Sequence, residues 1–357
     1  MNSEQILKVE KSIKNLKEKK SKVFFFVQDT KGNAKASITY IYRMAYALHE
    51  QNFNVVILHE KNDYIGVGSW LDEKYTKLPH FSVESQNLEI APEDFIVVPE
   101  LFGFVMSQIT KLGCGKIVLC QSYDYITETL NPGESWGQLG FHKCIATSDM
   151  LKEHITNIMR NTSVDVIQPY ISDVFTKLGL PAKPVIALHT RDQREGINFI
   201  KTFYLKFPQF RWVSFRDMRG LSESEFAKNM QECFLSVWID DISSYGTFPL
   251  ESMKMGIPVM GLVPNLVPEW MNENNGLWIN NKKDMVDFVS DYLQNWLEDN
   301  VNEEIFNEME KTISSLQTEE SFNKEVVTIF DSYLSKRAES MEEQINKFKE
   351  TETNGEV

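Results

Sequence analysis

The chain has 357 residues, 42% of them hydrophobic, with 37 basic side chains against 51 acidic ones. That length exceeds what one core usually serves, so two domains are expected. The formal charge of -14 works against a nucleic-acid-binding protein, whose affinity comes from neutralising phosphate.

Residues 4–20 place Ile6, Val9, Ile13 and Leu16 at helical spacing with lysines between them. The spacing predicts a helix packed on its own domain. Its basic face also suits peripheral contact with an anionic membrane surface. KVFFFVQ (22–28) reads as a buried parallel strand, DTKGNAKAS as a loop, Ile38 to Leu48 as a helix and FNVVILHE (53–60) as the next strand. That is a βαβ unit, expected to be right-handed. DFIVVPE (94–100), KIVLCQS (116–122), KCIATS (143–148) and VDVIQPY (164–170) continue the strands, with FGFVMSQITKLG and DMLKEHITNIMRN as helices.

SDVFTKLGLPAKP (172–184) has the glycine and proline of a linker. The alternation then restarts. KPVIALHT (183–190), FRWVSFR (210–216) and FLSVWID (234–240) read as strands around the helices INFIKTFYLKFP and SESEFAKNMQEC. In the second of these, Ser222 with Glu225 forms a candidate capping box. His189 ends the first of these strands and is expected to be a satisfied structural histidine, with a ligand-facing role as the alternative. From about residue 304 the chain is helical and charged, with Val326, Phe330 and Leu334 among its spaced apolar residues. Cys114, Cys120, Cys144 and Cys233 form no CxxC pair, which points to reduced, buried thiols. FFFV at 24–27 is too short for a leader, and no apolar run approaches the roughly 18 residues of a membrane span. A cytoplasmic protein, at most peripheral to a membrane, is expected.

The two successive α/β halves place ligands beyond the carboxyl ends of their strands and between the domains. The most informative stretch, SSYGTFPLESMKMGIPVMGLVPNLVPEW (243–270), begins at such an end. Gly246 permits close backbone approach, and Pro249 suits the first turn of a helix. The amino end of that helix suits a phosphate. Glu251, taken to lie in its first turn, suits a ribose hydroxyl pair.

The order of these residues resembles the hallmark segment of glycosyltransferase family 4, of the GT-B architecture. The family pattern is Glu-Gly-x-Gly-x-x-x-x-Glu-(Ala/Ser)-Met, followed by Gly-x-Pro-Val. Downstream, Glu269, Asn275 and Gly276 follow its next segment, and HTRDQREG falls where it carries an Arg and a Lys. The resemblance implies an α/β GT-B fold of two Rossmann-like domains whose parallel sheets face a cleft. Residues 1–175 would form the acceptor side, 183–320 the nucleotide-sugar domain and 321–357 a C-terminal helix with an acidic tail. It implies sugar transfer from a UDP- or GDP-linked donor, retaining and metal-independent, with no cofactor beyond that co-substrate. A glycan, a lipid-linked molecule, a protein or a nucleic acid would be the acceptor.

Arg191 and Arg194 would grip the diphosphate. Ser243, Tyr245, Gly246, Thr247, Phe248, Leu250 and Glu251 would contact the donor, with Gly32 and Gln121 reaching it from the first domain. Two departures stand out: the family's first glutamate falls on Ser243, with Asp241 as the substitute carboxylate, and its lysine falls on Glu195. They keep open a catalytically weak GT-B domain used for binding or assembly. A mobile-element enzyme that glycosylates nucleic acid is a further alternative.

Overall fold

The computed structural model describes residues 3–242 and 245–354, so Ser243 lies outside the described residues. The first lobe runs through α1 (Ser3–Lys17), β1 (Lys22–Val27), α2 (Ala36–Glu50), β2 (Asn54–His59), α3 (Glu73–Thr76), β3 (His80–Ser82) and β4 (Phe95–Pro99). It continues through α4 (Gly103–Gln108), β5 (Gly115–Cys120), α5 (Tyr125–Glu128), β6 (Lys143–Ala146), α6 (Asp149–Ile158) and β7 (Ser163–Val166). Its seven strands are parallel and ordered β3-β2-β1-β4-β5-β6-β7. The apolar run of β1 is explained by burial on both faces. Val23, Phe25 and Val27 enter one core with α1 and α2, whereas Phe24 and Phe26 enter another with Phe102 and Met106.

The second lobe runs through β8 (Lys183–Thr190), α7 (Gln193–Lys206), β9 (Ser214–Asp217), α8 (Glu223–Met230), β10 (Cys233–Ile239), α9 (Thr247–Lys254), β11 (Val259–Leu262) and β12 (Leu277–Ile279). Its helices α10 (Met285–Leu297) and α11 (Glu304–Ser315) follow. The parallel order β12-β11-β10-β8-β9 is the doubly wound pattern in which the first strand sits beside the second and third. Strand β9 is shorter than the apolar run 210–216 predicts, because Pro208–Phe210 forms a 3-10 turn that Val213 closes onto Phe210. The capping box forms: the Ser222 hydroxyl accepts from the Glu225 amide, and Glu225 accepts from the Ser222 amide.

The chain crosses between lobes twice. Tyr170 belongs to the first core and Ile171 and Phe175 to the second. On the way back, α11 packs Ile305 and Met309 into the second core, and α12 (Glu319–Asn354) returns Phe322, Val326 and Phe330 to the first. The Gln317 amide donates to the Gln168 carbonyl and ties the crossings together. Helix α1 packs Ile13 and Leu16 into the core shared with α12, and Lys17 pairs with Glu342 at 2.6 Å. No helix among the described residues is long and apolar enough to cross a membrane. All four cysteines are buried and unpaired.

Each sheet has one point where the strand order reverses, between β1 and β4 and between β8 and β10. Crevices open beyond the strand ends at such points. Here both open onto one cleft.

Candidate active site in the interlobe cleft

The cleft holds two adjoining cavities of about 730 and 440 Å³. Lys35, Arg191, Glu223, Thr247 and Glu251 line both. The larger reaches Glu100 and Gln121 on the first lobe, and the smaller reaches His189, Arg219 and Asp240 on the second.

Helix α9 begins at the cleft. Its N-cap, Gly246, has φ +73, the left-handed region that disfavours side chains. A Cβ there would meet Trp238 at 3.1 Å and Trp270 at 3.4 Å. The glycine is therefore fixed by its conformation and by tryptophan packing, as well as by its place on the cavity wall. Trp270 Nε1 donates to the Tyr245 carbonyl at 2.6 Å and holds the turn. The helix starts at Thr247, two residues earlier than the sequence reading. Glu251 is thus its fifth residue and lies in the second turn rather than the first. The carboxylate still lines the cavities, because positions four apart share a helix face, and it hydrogen-bonds the Thr247 side chain.

Two cations converge on this helix end. Arg191 follows β8, and its Nη1 lies 3.4 Å from Asp240. Its Nη2 donates to the Tyr125 hydroxyl across the cleft at 3.2 Å. Arg43, from α2 of the first lobe, is 9% exposed and pairs with Glu223 at 2.7 Å. It also donates to the Tyr170 carbonyl at 3.0 Å. Burial, with Glu223 second, pushes the Glu251 carboxyl up to about 8, against Arg43 and the Thr247 hydrogen bond.

Of the residues singled out from sequence, Gln121, Tyr245, Gly246, Thr247, Phe248, Glu251 and Arg191 line the cavities. Arg194, Asp241, Gly32 and Leu250 line neither. Arg194 and Asp241 are exposed and Leu250 is wholly buried. Glu195, at the family's lysine position, is paired with Lys282. Glu269 reaches the first lobe, where it accepts from the Met150 amide at the start of α6 at 2.5 Å. His189 differs from the satisfied residue expected. Its Nδ1 is buried without a protein partner, and its ring lies 4.9 Å from that of Phe248. Burial lowers its pKa to about 4.

Glu100 escaped the sequence reading. It follows β4 and is 1% exposed, and one oxygen accepts from the Gln121 and Ser122 amides at 3.1 and 2.8 Å. Burial pushes its carboxyl up to about 7, against those two hydrogen bonds and Arg191. The signal was present: a carboxylate directly after an apolar strand, in DFIVVPE.

No protein-family model matches the chain. An α-1,6-glucosyltransferase of Actinobacillus pleuropneumoniae serotype 7 is 21% identical over 204 residues, covering 53% of this chain and 62% of that protein. The chain thus spans about three-fifths of that curated relative's length. Sucrose-phosphate synthase from Thermosynechococcus elongatus superposes with a TM-score of 0.63 at 11% identity, covering 88% of this chain and 99% of that one. A structure of S. aureus TarM with fondaparinux, α-GlcNAc-glycerol and UDP gives 0.62 at 9% identity, with 87% and 99% covered. Anabaena HepE with UDP-glucose gives 0.60 at 11% identity, with 87% and 99% covered. These neighbours are GT-B glycosyltransferases. Two parallel doubly wound sheets facing one cleft, matched over nearly nine-tenths of the chain, give this protein the GT-B fold.

Proposed function

We propose that the protein is a glycosyltransferase that moves a sugar from a UDP-linked donor to a glycan acceptor. The observation that carries this reading is the convergence of Arg191, the amino end of α9 and Glu251 on one interlobe cavity. Cleavage of a nucleotide sugar builds negative charge on the departing diphosphate. A fixed guanidinium and helix N–H groups stabilise that charge, each such donor typically contributing about 10²–10³ in rate. With those groups in place the reaction proceeds without a metal and, by the family resemblance, with retention. Glu251 holds the ribose, and the 440 Å³ cavity beside His189 and Arg219 takes the nucleoside. The UDP-bound neighbours HepE and TarM support the choice of donor. Contact with a membrane surface would fall to the outer lysines of α1, since its buried apolar residues are committed to the core shared with α12.

The test is calorimetric titration with UDP, UDP-glucose and GDP, followed by measurement of UDP release. UDP is expected to bind, and Arg191→Ala to weaken it by about tenfold or more. Absence of binding by UDP and UDP-glucose sinks the proposal, whether or not GDP binds. Binding without UDP release from any offered donor favours an assembly protein. The one specific observation on that side is that Glu195, in the place of the family's lysine, is held by Lys282.

A further inference from the structure

Nine residues among those described carry a buried side-chain nitrogen or oxygen with no hydrogen-bond partner in the protein. Six of the nine line the interlobe cavities. Native interiors leave few such atoms, because each costs about 1–3 kcal/mol. Their concentration in one place calls for a ligand that completes them.

Four of the six line the larger cavity; one is Arg43, through its Nε, and the other three come from three separate segments. They are Glu100 after β4, Thr147 after β6 and Tyr245 in the turn before α9. Their side chains are 1, 2 and 4% exposed, and the orphaned atoms are Glu100 Oε2, Thr147 Oγ1 and the Tyr245 hydroxyl. The neighbouring polar groups are engaged. Gln121 Nε2 donates to the Ser37 carbonyl at 3.3 Å, and the Ser122 hydroxyl to the Ile242 carbonyl at 3.1 Å. Arg43 gives Nη1 to the Tyr170 carbonyl and Nη2 to Glu223, which leaves only its Nε over.

We infer that Glu100, Thr147 and Tyr245 form a subsite for a neutral sugar ring at the reaction end of the cleft. Glu100 supplies there the carboxyl contact that neither position 243 nor Asp241 supplies. Sugar hydroxyls both donate and accept, which suits one carboxyl and two hydroxyls. A phosphate only accepts, and shares its sign of charge with an ionised Glu100, so it is the wrong occupant. Position 243 is a serine, and Asp241 is exposed and lines neither cavity. The inference rests on the glycosyltransferase reading and goes further by naming residues that sequence resemblance does not mark. The ring belongs either to the donor or to the acceptor, and the experiment separates the two.

Calorimetry would measure UDP, UDP-glucose, and isomaltose in the presence of UDP, on the wild type and on Glu100→Gln, Thr147→Val and Tyr245→Phe. UDP affinity is expected to stay within about twofold throughout, because the nucleoside lies elsewhere in the cleft. A donor-sugar site shows as an approximately tenfold loss of the preference for UDP-glucose over UDP in Glu100→Gln. An acceptor site leaves that preference intact and abolishes isomaltose binding. Unchanged preference together with unchanged response to isomaltose, zero response included, overturns the subsite. Failure of the wild type to bind UDP overturns the glycosyltransferase reading first and the subsite with it. Thermal melting excludes a structural explanation. Removing an unpartnered buried oxygen leaves the ligand-free midpoint of Thr147→Val and Tyr245→Phe unchanged or raised, whereas a structural hydroxyl would lower it.

Discussion

Gly246 meets two separate demands at the entrance to α9. Its φ of +73 belongs to the left-handed region, and its missing Cβ leaves room for the Trp238 and Trp270 rings. A side chain there costs about 1–2 kcal/mol in conformation alone. The contact at 3.1 Å adds to that, because an indole locked in a core does not yield easily. Gly246→Ala is therefore expected to lose about 2–4 kcal/mol of stability, measured by urea unfolding at constant m. It is also expected to weaken UDP binding, because the same turn presents the first amides of α9. A loss below about 0.5 kcal/mol would show that the turn relaxes freely and that the tryptophans do not define it. The need for a glycine was legible in the sequence. Its steric reason was not, because Trp238 and Trp270 reach the turn from β10 and from a loop after β11.

Helix α8 shows how the start of an element shapes the cleft it borders. Its capping box fixes where the helix begins, and the first residue after the cap, Glu223, meets Arg43 of α2 across the cleft. Glu223 and Arg43 push the Glu251 carboxyl in opposite directions, and all three line the larger cavity. Arg43→Met keeps most of the side-chain volume and removes the charge. It leaves the Glu223 carboxylate without its partner and is expected to cost about 2–3 kcal/mol, below the range for fully buried pairs because Glu223 is one-third exposed. Adding Glu223→Gln to Arg43→Met is expected to recover at least half of that loss. If the double variant is no more stable than the single, the pair is not what holds α8 against α2. The elements themselves were largely readable. Strands such as β1, β2 and β10 carry near-continuous apolar runs because both faces are buried, and the capping box is explicit. The three-residue β3 left no such mark. Helix α9 starts two residues ahead of Pro249, because proline is tolerated within a first turn as well as at its first position. The interlobe pairing of Arg43 with Glu223 lies 180 residues apart in sequence and has no local signature.

At the scale of the whole molecule, the cleft concentrates buried groups that resist charging, and this fixes how stability depends on pH. Burial raises Glu100 from 4.5 to about 7, against the amides of Gln121 and Ser122 and the charge of Arg191. Burial and Glu223 raise Glu251 to about 8, against Arg43 and Thr247. Asp94 and Glu325 are also raised by burial. A carboxyl with a raised folded pKa holds its proton in the folded protein after the unfolded chain has lost it. Its contribution is therefore fully present below the unfolded value and fades as pH rises through the folded one. Two histidines act in the opposite sense. His80 falls from 6.5 to about 4 through burial and then His59, and His189 to about 4 through burial, with Arg219 and Arg191 adding to it and Asp240 and Asp217 opposing. Each favours the folded state above 6.5 and withdraws that support as pH falls towards 4. Between pH 4.5 and 6.5 the two pairs oppose each other, and the stability of the ligand-free protein should be nearly flat. Above 6.5 the histidines are neutral in both states, and the carboxyls alone set the slope. Stability is then expected to fall by about 1–3 kcal/mol between pH 6.5 and 8, at up to ~1.4 kcal/mol per pH unit for each group. Thermal melts across this range check the curve, and the variants Glu100→Gln and Glu251→Gln should each flatten the alkaline arm. An arm that rises towards pH 8, or one that neither variant changes, would show that both carboxylates are already ionised in the folded protein. A sugar hydroxyl would then meet a charged Glu100, as acceptor only, rather than a carboxyl that also donates.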